Sequence, residues 1–304
     1  MSSQLLSVEE LKSLGVRSTS QGLIRLAFHL AVMATSGYLW ATNLSSDRWF
    51  IALPSVIMYG FSLAIMFAPL HESSHRTAFA NNQLSDAIAW FAGLLSFYNS
   101  AFYRQYHKWH HRYTQILDKD PELSDRKPTN LKEYVWEIIG ISWWIGKVKT
   151  HTKVVLGKVD DYIFIPEAQR QSVIRSTRLQ LLVYGIAIAI SVAFRQPWFL
   201  LYWVLPLAVG QPFLRFILLT EHTGCTNDSN GLTNTRTTLT LTILRYFMWN
   251  IPLHTEHHLY PSIPFYLLPV AHEKLHRQFA HIGNGYVNVN REIIGNMNAP
   301  ELVQ

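Results

Sequence analysis

One cysteine, Cys225, occurs in the 304 residues. A lone thiol excludes an internal disulfide framework, and it excludes a zinc or iron–sulfur site built on cysteines. Charge is scarce too: Asp, Glu, Lys and Arg make up 15% of the chain, against about 25% in an ordinary soluble domain. With 49% apolar residues, that deficit points toward lipid. The net charge of +6 comes without a basic stripe or a nucleic-acid motif, so nucleic acid is not an expected partner. Residues 1–20 are polar and mixed in sign, and no cleavable signal peptide is expected there. Within them SVEE (7–10) resembles a capping box ahead of a short helix. No fixed-period repeat and no low-complexity tract is present.

What the chain has instead is long apolar runs. Four of them, at 22–42, 50–70, 179–194 and 198–219, approach or reach the roughly 20 residues of a bilayer-spanning helix. The links LSSDRW and Arg195-Gln196-Pro197 are short, so the runs pair into two hairpins. Residues 86–102 are apolar but interrupted by Asn99 and Ser100, which suits an interfacial or re-entrant helix. The polar stretch 118–133 belongs in water, and Trp136 to Ile145 reads as a membrane-surface segment. The expected fold is an all-α integral membrane protein, one domain over 1–304. It has four transmembrane helices, interfacial helices and a histidine-rich cap.

Histidine is the other abundance. Eight of 14 histidines fall in three five-residue windows: HESSH (71–75), HKWHH (107–111) and HTEHH (254–258). His71 and His75 are i, i+4 neighbours on a helix. His107, His110, His111 and His254, His257, His258 repeat i, i+3, i+4. Many neutral imidazoles gathered in one place point to metal. His222, directly after the fourth run, is a ninth candidate ligand. The scattered His29, His151, His272, His276 and His281 read as packing or surface residues.

Span parity puts all three windows on one side of the membrane: two runs precede the first two windows and four precede the third. Basic residues agree. Three Lys/Arg lie at or before the first run, 15 between the second and third, and 5 after the fourth. The two opposite-side links hold only Arg48 and Arg195, and Arg215 lies inside the fourth run. The positive-inside rule then places both termini and every histidine window in the cytoplasm.

HESSH alone also matches the His-Glu-x-x-His signature of zinc proteases, in which glutamate is the general base. That reading uses two histidines and leaves the other windows without a purpose. A metal transporter would carry its ligands mid-span, whereas these lie at and beyond span ends. Eight or more nitrogens exceed what tetrahedral zinc accepts and suit two metals, and imidazole sites with open positions suit iron.

The order His-x-x-x-His, His-x-x-His-His, His-x-x-His-His resembles the membrane fatty-acid desaturase and hydroxylase superfamily over nearly the whole chain. HESSHRTAF is similar to the first box of acyl-lipid desaturases, and HTEHHLYPSIP also resembles the third box of carotenoid ketolases and hydroxylases. The resemblance implies a cytoplasmic non-haem di-iron site held by His71, His75, His107, His110, His111, His222, His254, His257 and His258. Relatives add a water-linked asparagine one turn before the lone histidine, where this chain has Leu218. The resemblance further implies two iron ions (Fe2+/Fe3+), O2 as co-substrate and a long apolar substrate such as a membrane lipid. It implies an external electron donor, ferredoxin or a small cytochrome, since the chain leaves no room for a fused haem domain. Glu256 and Asp120 are the expected orienters of ligand imidazoles. Trp143, Trp144, Phe247 and Trp249 are candidates to line a substrate channel. The leading expectation is an acyl desaturase. The alternatives are a di-iron ketolase or hydroxylase acting on carotenoids, alkanes or fatty acids, and more remotely the zinc protease.

Overall fold

The computed structural model describes residues 5–124 and 127–297. The short first helix, α1 (Val8–Leu14), starts at the expected capping box: Ser7 accepts from the Glu10 amide and Glu10 reaches back to the Ser7 amide. After it come α2 (Thr19–Asn43), α3 (Trp49–Ala64) and α4 (Phe67–Ser74), the last continuing α3 after a two-residue break at Ile65 and Met66. Then α5 (Asn82–Ser96), α6 (Ser100–Tyr113), α7 (Leu131–Ile138) and α8 (Ile141–Val155) lead to α9 (Glu167–Ala193) and α10 (Leu205–His222). The C-terminal part carries α11 (Thr242–Phe247), α12 (His254–Leu259), α13 (Leu268–Leu275) and α14 (Tyr286–Asn296). Its two three-residue strands, β1 (Thr237–Leu239) and β2 (Ile282–Asn284), pair in parallel with Thr237 opposite Ile282. This small ladder is the one departure from an all-helical reading among the described residues.

Four segments are long and apolar enough to cross a membrane: Thr19–Asn43, Trp49–Ser74, Glu167–Ala193 and Leu200–His222. They coincide with the four expected runs, with two informative differences. The third helix begins twelve residues before the expected 179, because nothing after Pro166 breaks it. Its added turns carry Arg170, Arg175 and Arg178 and are polar. The second extends to Ser74, so the first histidine window rides on the end of a span instead of following it.

Backbone contact fixes how α3 and α10 cross. A Cβ on Gly60 would stand 2.0 Å from the Pro206 carbonyl oxygen, and one on Gly210 would stand 1.9 Å from the Gly60 oxygen. Only glycine at both positions permits so close an approach, the small-residue packing that membrane helices use where lipid offers no hydrophobic drive. Because α4 continues α3 and His222 ends α10, this crossing sets the relation between the first window and the lone histidine. His29 has the packing role expected of it: buried on α2, its Nε2 lies 2.9 Å from the Ser62 carbonyl on α3.

The segment 86–102 is not one interrupted helix. Phe97 adopts a left-handed conformation at φ 61 and ends α5, and the Asn99 side chain accepts from the Phe102 amide to start α6. Asn99 is a helix cap, so the break reorients the chain and launches the helix that bears the second window. A similar turn at Gly140, φ +77, separates α7 from α8. Those two helices leave Trp136, Ile139, Ile145 and Val148 exposed, in keeping with a surface segment of apolar character.

Candidate metal centre

Each window sits on a helix end that points inward. His71 is in the last turn of α4 and His75 is its C-cap, which sets the two rings 5.2 Å apart. The second window occupies the last two turns of α6, and the third makes up almost all of α12.

Residues adjacent in a helix diverge by about 100°, and that divergence sorts the histidines into two groups. His71, His75, His107, His111 and His257 place one ligand atom each within 4.8 Å of one another, and so do His110, His222 and His258. His254 joins the second group through His222, their Nε2 atoms 3.1 Å apart. The two His-x-x-His-His windows are used in opposite senses. In the second window the i, i+4 pair His107 and His111 serves the first group and His110 the second. In the third the i, i+4 pair His254 and His258 serves the second group and His257 the first. Stacked rings of His111 and His258, 4.2 Å apart, join the two halves.

The donor set suits metal. Burial first, and the neighbouring imidazoles after it, hold His75, His107, His111, His254, His257 and His258 well below the usual histidine range. These rings are neutral and offer lone pairs. The Nε2 atoms of His71 and His75 in the first group and of His258 in the second are buried with no hydrogen-bond partner, a cost that an ion in each group would remove. His107 Nε2 and His111 Nε2 are 3.0 Å apart, and His111 Nε2 and His257 Nε2 are 3.1 Å apart. Two nitrogens bound to one ion at about 2.1 Å stand about 3.0 Å apart at a right angle and about 3.4 Å apart at a tetrahedral angle. Nitrogens this close can share one ion. Iron fits these residues by ligand type, an imidazole-rich set with room for more than four donors.

Partners on Nδ1 decide which nitrogen faces inward. His110 Nδ1 lies 2.9 Å from Asp120 Oδ1, and Asp120 is itself fixed by the Gln115 and Glu122 amides at 2.8 and 3.0 Å. Burial alone would lower His110, but the Glu122 and Asp120 carboxylates raise it above the usual value. His71 Nδ1 pairs with Glu72 Oε1 at 3.2 Å, His258 Nδ1 with the Thr114 hydroxyl at 3.2 Å, and His222 Nδ1 with the Asn234 carbonyl at 3.0 Å. Each bond leaves Nε2 free for metal.

Asp120, expected beside a ligand imidazole, is on one. Glu256 is not. Its carboxylate takes the Thr237 hydroxyl and His272 Nδ1, so it ties α12 to β1 and α13. His272, read as an ordinary tail residue, thus supports the third window from behind. Sequence reasoning missed Thr114 and Asn234. Thr114 carries a faint signal, four residues after His110; Asn234 acts through its backbone carbonyl, which no side-chain pattern reveals. Glu221 Oε2 approaches His254 Nε2 at 3.4 Å. His151 bonds the Lys147 carbonyl and His276 the His272 carbonyl, both outside the two groups.

A cavity of about 930 Å³ reaches both groups through His71, His107, His110, His222 and His254. Phe67, Tyr103, Leu218, Leu219 and Ile251 give it apolar wall beside the imidazoles. Of the four aromatics considered for a channel, Trp143 lines it; Phe247 and Trp249 are buried in the core, and Trp144 packs against that core. Leu218 is apolar wall.

Comparison with known proteins agrees with this geometry. The family model described as fatty acid desaturase matches residues 47–289, well over half the chain. The chain is 29% identical over 153 residues to the sn-1 oleoyl-lipid 12-desaturase of Picosynechococcus sp., covering 48% of this chain and 42% of that protein. It is 25% identical over 259 residues to the sn-1 oleoyl-lipid 12-desaturase of Arthrospira platensis, covering 78% and 71%. The first of these matches spans less than half the length of the relative.

Proposed function

This chain belongs to the fatty acid desaturase family, and from that premise we propose that it is an O2-dependent di-iron desaturase of acyl chains. The observation that carries the reading is the division of nine histidines into two facing groups beside one cavity. The relatives' named activity, on oleoyl chains of lipids, makes a membrane lipid acyl chain the first substrate class to try.

Removing hydrogen from an unactivated methylene needs an oxidant stronger than any side chain, and two irons with dioxygen supply it when bound there. The balance is simple. Two hydrogens leave neighbouring carbons, a carrier adds two electrons, two protons come from water, and O2 becomes two waters. The protein's share is geometric. Glu72, Asp120, Thr114 and the Asn234 carbonyl hold the protons of four imidazoles on Nδ1. Phe67, Leu218 and Ile251 exclude water and steer an extended chain past His71 and His254. Glu72 stands behind His71, on its Nδ1. In a zinc protease that carboxylate would have to face the bound water, so the remote protease reading loses its base.

In this reading the histidine groups and both termini face the cytoplasm, supported by the charge asymmetry. Lys108, Arg112 and Lys119 are exposed on the outer side of the second window. They suit an acidic one-electron donor such as ferredoxin, docked within a short reach of His111.

Fatty acid and pigment analysis of cells expressing the wild type or His257→Ala tests the assignment. A new double bond made by the wild type and lost in the variant is expected, with about two irons per purified chain. Hydroxylated chains or oxygenated carotenoids would move the protein to the neighbouring oxygenases, and a single tightly held zinc would overturn the di-iron reading.

A further inference from the structure

Among the cations that line the same cavity, Lys147 and Arg215 stand together and make no ion pair among the described residues, and Glu221 feels Arg215 only at longer range. Arg215 lies inside the fourth span, where a charge is costly and needs a purpose. Its Nη2 donates to the Tyr98 hydroxyl at 2.9 Å, but its Nε is buried without a partner. Lys147 of α8 places its ammonium 3.4 Å from the centre of the Tyr98 ring, and this ammonium makes no hydrogen bond or ion pair among the described residues. Trp143 Nε1 also donates to the Tyr98 hydroxyl, at 2.9 Å. That oxygen therefore accepts twice, and its own hydrogen is left to donate. Three donors thus stand around Tyr98: an ammonium over its ring, a guanidinium bonded to its oxygen with a further N–H unpartnered, and the phenol O–H itself. Lys147, Arg215, Tyr98 and Trp143 all line the cavity.

Two like charges side by side in a half-buried site repel, and the repulsion from Arg215 adds to burial in pulling Lys147 well below the usual lysine range. An anion between them would relieve both penalties. Glu137 and Glu221 share the cavity, yet neither comes within ion-pair distance of the two cations.

We propose that Lys147, Arg215 and Tyr98 form a subsite for the anionic end of the substrate, a carboxylate or a phosphate carried by an acyl chain. Arg215 precedes His222 by seven residues on α10, about 10 Å along the helix. The chain leaves the anion along Phe67 and Leu218 and reaches the histidines roughly that far on. The inference deepens the acyl-chain reading above and rests on it for the apolar tail, while the anion rests on the three donors.

The test is ligand binding by the purified iron-loaded full chain in an uncharged detergent. The probes are oleate, oleyl alcohol, dioleoyl phosphatidylglycerol and dioleoyl phosphatidylcholine. The wild type should hold at least one anionic probe about tenfold or more tighter than its uncharged or zwitterionic counterpart, the worth of charge-assisted bonds. Preference for oleate over its alcohol assigns a free carboxylate, and preference for phosphatidylglycerol over phosphatidylcholine assigns a lipid phosphate. Lys147→Met and the double variant Lys147→Met/Arg215→Met should lose the preference, and Lys147→Arg should keep it. Lys153→Met, at a lining lysine already paired with Asp161, should also keep it. Iron content equal to wild type certifies the fold of Lys147→Met if the double variant does not express. Equal binding of charged and uncharged probes, or a preference that survives in Lys147→Met, overturns the subsite. Double-bond formation is scored separately in the same preparations. Anion preference without desaturation leaves the subsite standing and removes the desaturase reading, and desaturation without preference does the reverse.

Discussion

At the scale of single residues, the two groups make their supporting carboxylates separable. Asp120 holds only His110, in the second group, and Glu72 holds His71, in the first. Loss of such a partner lowers metal affinity about 10–100-fold. Asp120→Asn should therefore shed one metal per chain while the other stays, and Glu72→Gln should shed the opposite one; metal analysis after graded chelation reads both. Eight of the nine imidazoles stood out by their helical spacing within three short windows, and His222 by its place directly after the fourth run. Their division did not, because it depends on where three helices end in space. Glu256 misled for the same reason. Its position inside HTEHH suggested a ligand's neighbour, but a residue two positions after His254 and one before His257 faces away from both, toward Thr237 and His272. The buried neutral imidazoles also set an acid limit. Six of them lie below the usual value, so below about pH 6.5 the unfolded chain binds protons that the fold refuses. Stability of the metal-free protein must then fall as pH drops through that value, by up to about 1.4 kcal/mol per pH unit for each such ring. His110, raised by its carboxylates, works in the opposite sense and offsets part of the slope. Thermal unfolding in chelator at pH 7, 6 and 5 should show a steady fall in midpoint, and a flat profile would refute the neutral cluster.

Elements carry the next level of specification. Hydropathy located four spans, and their lengths follow from the bilayer, but the contact between α3 and α10 depends on two glycines 150 positions apart. Gly60 and Gly210 looked like any others in apolar runs. The meeting of their backbones requires the second and fourth spans to be neighbours, which no periodicity states. Gly60→Leu would drive a side chain into the Pro206 carbonyl and push α3 from α10, at about 1–3 kcal/mol or more. The first window and His222 would separate with them. Purified Gly60→Leu should show a lower unfolding midpoint and reduced metal content. Gly185→Leu, whose Cβ meets nothing within 4 Å, should show neither. The split of 86–102 at Phe97 is a second feature that composition hid. An apolar stretch with Asn in it reads as an interfacial or re-entrant helix, whereas the same Asn99 as an N-cap turns the chain and aims α6 at the centre.

For the molecule as a whole, orientation is the property that joins fold to function, because it decides which compartment supplies electrons. In the proposed topology even parity puts the three windows, and the ends of the second and fourth spans that carry His71 and His222, on one face. The 12 Lys/Arg between the second and third spans, with three more on the polar first turns of the third, against one in each opposite link, favour the cytoplasm for that face. A reductant can then reach the exposed Lys108 and Arg112 from the side where ferredoxins are made. The links themselves provide the test. Ser46 lies in the turn between α2 and α3, and Asp161 is an exposed residue between α8 and α9. The native thiol is easily removed as Cys225→Ser. In that background Ser46→Cys should react with a membrane-impermeant maleimide on intact cells, and Asp161→Cys only after permeabilisation. The reverse pattern would place the histidines outside, away from any cytoplasmic carrier, and the proposed electron supply would fail even if the metal centre were correct.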